Sequence, residues 1–241
     1  MTLWLEPDWP APPGVRAAST LRLGGVSAGV YAGLNLGLHV GDDPAAVATN
    51  RALLRRNLGL PAEPAWLRQV HGNAAVEAGR EAEPEADASY TWNVGVVCAV
   101  MTADCLPVLL CTRDGAGVAA VHAGWRGLAG GVIEQAVAAL GASDLLAWLG
   151  PAIGPEAFEV GDEVRAAFLA QDAESDAAFR PGDNGRWLAD IYRLARLRLR
   201  RLGIRDVHGG GWCTYGDESR FFSYRRDGVT GRMATLVWRD R

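Results

Sequence analysis

The stretch from Val94 to Leu149 is the densest in apolar residues, and it limits most sharply what this chain can fold into. VGVVCAVMTADCLPVLLCT reads as two buried strands broken between Ala103 and Pro107, because a proline cannot donate to a central ladder. GVAAVHA reads as a third strand, and Leu128 to Leu140 as the helix after it. His122 therefore falls where a buried strand ends and a helix is about to begin, a place that suits a side chain facing a cleft. The chain has 241 residues, 49% of them hydrophobic, enough for a substantial core. No low-complexity linker and no repeat divides it, so a single domain over 1–241 is expected.

Around this centre the elements are mixed. TLRLGGVSAGVYAGLNLGLHVGDD is rich in glycine and reads as strands and turns. DDPAAVATNRALLRRNLGL reads as a helix with Asp43 as N-cap, Pro44 in its first turn and Gly59 as its stop. LRQVHGN reads as a strand running into a turn. RWLADIYRLARLRLRRLG reads as a helix with Leu188, Ile191, Ala195, Leu199 and Leu202 on one face and Arg193, Arg196, Arg200 and Arg201 mostly on the other. The tail RFFSYRRDGVTGRMATLVW reads as strand, turn at Asp227-Gly228, strand, with Arg225 and Arg226 as turn charges. Strands and helices interleave without strict alternation, which points to a fold of mixed α and β type.

Charge and composition exclude several classes of function. A formal net charge of −4 gives no reason to expect nucleic acid or an anionic membrane, and the arginine face of the late helix reads as a solvated face. All 24 basic residues are arginine, so there is no lysine for a Schiff base and no P-loop. The N-terminal residues lack a basic segment followed by an apolar one, and no apolar run approaches the roughly 20 residues of a membrane span. Cys98, Cys105, Cys111 and Cys213 have no framework spacing, so free thiols and a cytoplasmic setting are expected.

The chemistry has few candidates. Among four histidines, His39, His71, His122 and His208, two stand beside strand ends, and Cys105 lies at the break between two strands. A His, a Cys and a second His form the three-ligand set that catalytic zinc accepts, with a fourth position open. The separations, 34 positions from His71 to Cys105 and 17 from Cys105 to His122, mean that the fold must bring them together. Two other chemistries use the same residues. Cys105 with His122 is also a thiolate–imidazole pair able to attack a carbonyl without metal. Two His and one Cys also suit a blue-copper centre, for which Met101 and Met233 are the internal axial candidates. Cys98 and Cys111 read as apolar filler.

QVHGN, TADCLPVLL, AVHAGWRG, GPAIGPEAFEVG and FFSYRRDGVTGRMA resemble, in that order, the signature blocks of the YfiH family. Its members were long labelled multicopper laccase-domain proteins and are now regarded as purine nucleoside phosphorylases. GGVSAGVYAGLNLGLHVGDDP resembles the family's N-terminal block, so the resemblance runs along nearly the whole chain. It implies an α+β fold, a four-layer α/β/β/α sandwich with mixed sheets, related to a toxin deamidase domain that uses Cys and His without metal. It implies one zinc bound by His71, Cys105 and His122. It further implies phosphorolysis of adenosine, inosine and guanosine, with methylthioadenosine cleavage and adenosine deamination at the same site. The polyphenol-oxidase label, and with it copper, is the lesser implication. Where the family block often carries cysteines this chain has Ala152 and Ala157, which argues against extra copper sites.

Each reaction makes its own demand on the remaining residues. Zinc deaminases of nucleobases carry a Glu in an H-x-E pattern, absent at both histidines, which leaves Asp104 as the nearest acid in sequence and the candidate for proton transfer. Phosphorolysis needs a cationic cradle for phosphate, which here must be arginine. Arg51, on the predicted helix ending near Gly59, and Arg126, at a helix N-terminus one turn from His122, are the candidates. Asn35 and Gln69 are candidates for hydrogen bonds to the ribose or base. For all of these the competing reading is a structural hydrogen bond or a surface charge.

Overall fold

In the computed structural model, which describes residues 3–240, thirteen strands run in chain order as β1 (Trp4–Leu5), β2 (Val15–Thr20), β3 (Ala75–Glu77), β4 (Ala88–Thr91), β5 (Val97–Thr102), β6 (Leu106–Thr112), β7 (Val118–Ala123), β8 (Leu145–Leu149), β9 (Glu159–Val160), β10 (Phe179–Pro181), β11 (Trp187–Ala189), β12 (Val207–Gly209) and β13 (Met233–Arg239). The α-helices are α1 (Pro44–Leu58), α2 (Trp125–Ala129), α3 (Val132–Leu140), α4 (Asp162–Leu169), α5 (Ile191–Arg201) and α6 (Tyr224–Asp227). An antiparallel sheet has the order β1-β2-β13-β5. A larger mixed sheet has the order β12-β8-β6-β7-β4-β3, antiparallel at its centre and parallel at both edges. A small sheet, β10-β11-β9, lies apart from these.

Strand alternation sorts the core into layers. On β5, Val97, Ala99 and Met101 pack with Leu54 of α1, whereas Cys98 and Val100 pack with Leu109, Cys111 and Ala120 of the larger sheet. On β6, Leu106, Val108 and Leu110 face the other way, onto Ile133 and Leu140 of α3 and Leu199 of α5. The order is therefore α1, sheet, sheet, helices, which is the expected four-layer α/β/β/α sandwich. Each fully buried leucine at these interfaces contributes roughly 1.5–3 kcal/mol.

The capping residues of α1 act as expected. The Asp43 side chain accepts from Ala45 N–H at 3.0 Å, and Gly59 closes the helix at φ 60°.

Elsewhere the structure departs from the sequence reading, each time for a local reason. The helix expected over Leu128 to Leu140 begins at Trp125 and breaks at Gly130-Gly131, where Gly131 takes φ 87°. Pro107 does not mark the break between strands but lies inside β6. Its carbonyl accepts from Gly150 N–H, one residue past the end of β8, so its missing donor falls where that ladder stops. Leu188 is in β11, because Asp190 caps α5 by accepting from Arg193 N–H and starts the helix only at Ile191. In the tail, Ser223 caps the short α6, so the segment before Gly228 is a helical turn and not a strand. Arg225 and Arg226 are not free turn charges, since they donate to the carbonyls of Glu159, Thr214, Tyr215 and Phe221. The glycine-rich segment after β2 is mostly loop, with one isolated bridge from Ser27 to Gly33.

Candidate metal centre

The site forms at one end of the crevice between the two large sheets. His122 is the penultimate residue of β7 and shares the face of Ala120, directed toward the opposite sheet. Cys105 sits in the connection from β5 to β6. The residue before it, Asp104, has φ 92°, a left-handed conformation costing roughly 1–3 kcal/mol in a residue with a side chain. Three bonds hold that conformation. The Asp104 carboxylate accepts from Thr214 Oγ1 at 2.6 Å and from Arg225 N–H at 2.7 Å, and its carbonyl accepts from Ile153 N–H at 2.9 Å.

His71 arrives on a tight loop, itself at φ 61°. What fixes this loop is Asp87, a fully buried acid just before β4. Its carboxylate accepts from the backbone N–H groups of Val70, His71 and Gly72 at 3.2, 2.9 and 2.7 Å. It also lies 2.7 Å from His122 Nδ1. An ionised carboxylate only accepts, so the Nδ1 proton belongs to His122, and Nε2 is the nitrogen that would give up its proton to a bound ion. One side chain thus orients one imidazole and anchors the loop that carries the other.

The donor atoms of His71, Cys105 and His122 all lie within 4.8 Å of one another. Cys105 Sγ is 3.8 Å from His71 Nε2, and the two imidazole rings are 4.9 Å apart at 72°. Tetrahedral zinc with Zn–S about 2.3 Å and Zn–N about 2.0 Å spaces its donors roughly 3.3–3.5 Å apart, so a small contraction closes the set around an ion. Cys105, Asp87 and His122 also form an electrostatic chain. Loss of water would raise the Cys105 thiol, but the neighbouring imidazoles overcome this and bring it down to about 6. Burial would lower His122, but Cys105 and Asp87 together raise it to about 9. Burial would likewise raise the Asp87 carboxyl, yet His122 and the loop amides hold it below the ordinary carboxylate value. Cys98 and Cys111, where burial outweighs the small opposing contributions of Ser89 and Arg113, are pushed up to about 12.

Two glycines of HAGWRG are explained by close approach. A Cβ on Gly124 would lie 3.0 Å from Cys105 Sγ and 3.1 Å from His71 Cδ2, and one on Gly127 would lie 2.6 Å from the Gly72 carbonyl. Gly124 has φ −62° and ψ 156°, which alanine adopts without strain, so the first collision falls on the donor set alone. Gly124→Ala is therefore expected to weaken metal affinity by about 10- to 100-fold with an unchanged circular dichroism spectrum. Metal titration of the folded variant measures this, and wild-type affinity would show that the donors do not need this space.

The trio opens onto a cleft of about 440 Å³, also lined by His39, Gln69, Met101, Thr102, Arg126, Tyr224 and Arg232. Of the residues singled out in the sequence, Gln69 and Arg126 line it. Gln69 is tied at both ends of its amide to the Met101 backbone, at 2.8 and 2.7 Å, and shapes the wall. Arg126 is exposed and stacks on the Trp125 ring. Asn35, Arg51 and Asp104 lie outside the lining. Asn35 is fully buried, bonded to Gly37, Asp42 and the Arg232 backbone. Arg51 donates to the Leu36 carbonyl and pairs with Glu83 at 3.5 Å. Met101 lines the cleft, whereas the Met233 sulfur accepts from Phe222 N–H in the core. Asp87, His39, Tyr224 and Arg232 went unnoticed as site residues. Nothing local in the sequence singles out Asp87, since the strand that follows it, Ala88-Ser89-Tyr90-Thr91, is half polar.

Residues 16–240 match the family described as multi-copper polyphenol oxidoreductase laccase. The chain belongs to this family. A Pseudomonas aeruginosa member named as a purine nucleoside phosphorylase is 58% identical over 99% of both chains. The Escherichia coli purine nucleoside phosphorylase YfiH is 54% identical over 99% of both. A Neisseria meningitidis protein of known crystal structure superposes with a TM-score of 0.96 at 51% identity over the full length of both chains. YlmD from Geobacillus stearothermophilus does so at 0.94 and 34% identity, over 100% of this chain and 97% of its own. The family description names several coppers, yet among the described residues only one group of His, Cys, Asp or Glu donors is able to hold a metal. Among them, too, no helix is long and apolar enough to cross a membrane.

Proposed function

We propose that this chain is a zinc-dependent purine nucleoside phosphorylase acting on adenosine, inosine and guanosine. The observation that carries the reading is the His71–Cys105–His122 donor set at the wall of a cleft large enough for a nucleoside. The names of the relatives support the reaction type. Borderline nitrogen and sulfur donors suit zinc, and a single such set does not suit a multicopper oxidase.

His71, Cys105 and His122 would hold the ion, which when bound supplies Lewis-acid chemistry at one open position. The other contributions come from the chain itself. Asp87 keeps the His122 proton on Nδ1. Asp104 holds the turn that aims Cys105, and with both carboxylate oxygens already engaged it acts as a positioning residue rather than a proton donor. Arg126 offers an unshared guanidinium to an anion, and Tyr224 offers a ring face to a base. Among the described residues no Asp or Glu lines the cleft. Deamination, which calls for a carboxyl group to move protons, is therefore a slower side activity of the same site, and methylthioadenosine is cleaved by the phosphorolytic route. Free cysteines fit a cytoplasmic setting.

Incubation of inosine or adenosine with and without inorganic phosphate tests the assignment. Phosphate-dependent release of base with ribose 1-phosphate is expected, and release of base that ignores phosphate overturns it.

The lowered Cys105 thiol favours a second reading, a metal-free thiol hydrolase, and alkylation separates the two. In metal-free protein the thiolate fraction of Cys105 grows as pH rises through about 6, so its alkylation rate should climb there while Cys98 and Cys111 stay inert. Zinc should block the reaction. Turnover that survives exhaustive chelation but is lost on alkylation would establish the thiol reading instead.

A further inference from the structure

We propose that Arg232, with His39 beside it and Arg126 also lining the cleft, forms a subsite for a small tetrahedral oxyanion. On the phosphorylase reading, on which this assignment rests for its biological sense, the anion is inorganic phosphate. Arg232 stands just before β13, and its backbone N–H donates to Asn35 Oδ1 at 2.9 Å. Its NH1 donates to the carbonyls of Thr230 and Gly231 at 2.9 and 3.0 Å. The stem lies across Gly37, where an added Cβ would sit 2.9 Å from Arg232 Cγ. The guanidinium is therefore held in place, 5.9 Å from the Tyr224 ring centroid, yet among the described residues no hydrogen-bond partner is found for its Nε or NH2 and no carboxylate pairs with it.

Other described arginines, Arg22 and Arg126 among them, also lack a carboxylate partner, but Arg232, like Arg126, lies in the lining of the cleft beside the donor set. Arg198, which is buried, is paired with Glu134, and half-buried Arg51 is paired with Glu83 while its guanidinium covers the Trp66 ring at 4.2 Å. A cation partly withdrawn from water is costly, and burial pulls the half-buried Arg232 guanidinium below its ordinary value even though Cys105 and Asp104 offset part of this. An anionic ligand would remove the cost. Arg126 likewise has no carboxylate partner among the described residues, and its guanidinium stacks 4.5 Å from the Trp125 ring centroid. His39 is held below its usual value by burial and by Arg232, so near neutrality it is an uncharged imidazole able to donate one hydrogen bond. Among the described residues no acid in the lining competes for these donors. Asn35 then acts one step removed, by fixing the backbone from which Arg232 projects.

Calorimetric titration with inorganic phosphate, on zinc-loaded and on metal-free protein, tests this. Arg232→Gln and Arg126→Gln should each weaken phosphate binding about 10- to 100-fold and raise the phosphate KM by a similar factor, with zinc content and inosine affinity retained. Arg126→Gln removes no hydrogen bond present in the fold, so it decides the matter should Arg232→Gln lose zinc or unfold. Unchanged phosphate affinity in Arg126→Gln and in a folded Arg232→Gln, or no phosphate binding by the wild type, overturns the subsite. If phosphate binding depends on these arginines but no ribose 1-phosphate forms, the subsite stands and the phosphorylase reading falls. If ribose 1-phosphate forms with an unchanged phosphate KM in both variants, the reading stands and the subsite is elsewhere.

Discussion

His122→Ala should abolish metal binding and nucleoside turnover together. The residue supplies one of three donors and is the only one whose far nitrogen is fixed by a carboxylate. Loss of an outer partner of a metal ligand typically costs 10- to 100-fold in affinity, so removal of the ligand itself should cost at least ~100-fold. The fold should survive, because the truncation leaves the β7 backbone bond from His122 N–H to the Asp87 carbonyl untouched. The stability loss should be about 1–3 kcal/mol, from the Asp87 oxygen left without its imidazole partner. Zinc analysis of the purified variant, with a denaturant titration alongside, measures both. A zinc-replete, fully active variant would contradict the assignment.

Asp87→Ala should have the largest effect on stability. It removes an acceptor shared by three backbone N–H groups and an imidazole in a site with no water contact. Breaking a buried charged network of this kind costs about 3–5 kcal/mol, and the His71 loop should loosen with it. Asp87→Asn is the finer probe, because it keeps the shape but offers a weaker, neutral acceptor to His122. It should lose about 10- to 100-fold in zinc affinity with a smaller fall in Tm. The sign of the pH dependence follows from the depressed Asp87 carboxyl. Its contribution is fully present above the ordinary unfolded carboxylate value and disappears as pH falls through its lower folded value. The wild type should therefore lose this contribution only in acid, whereas Asp87→Asn should lack it at every pH. Wild-type zinc affinity and an unaltered acid limb in Asp87→Asn would show that the carboxylate is a bystander.

The contrast between these residues explains what could be read from the sequence. His122 and Cys105 stand out as candidates because they sit at the ends of apolar runs, although a hydrogen-bonded core histidine reads the same way from sequence and the zinc reading comes from the family resemblance. The caps of α1 were legible because Asp43, Pro44 and Gly59 act on their immediate neighbours. Asp87 was not legible, because everything it does depends on residues about 16 and 35 positions away meeting at its carboxylate. The choice between Arg51 and Arg232 was hidden for a similar reason. Both are arginines near glycine-rich segments, and only the fold shows that Glu83 pairs with the first while the second faces the cleft without a carboxylate partner. Asp104 illustrates the opposite limit. Adjacency to Cys105 put it near the chemistry in sequence, but its φ of 92° turns the carboxylate toward Thr214 and α6.

The central claim is that one ion held by His71, Cys105 and His122 makes the cleft a nucleoside phosphorylase. Stripping the metal and reloading it stoichiometrically, while following phosphate-dependent ribose 1-phosphate formation, tests this most directly. Turnover that vanishes on stripping and returns in proportion to zinc, saturating at one ion per chain, is the expected result. Undiminished cleavage of purine nucleosides by the stripped protein would contradict it.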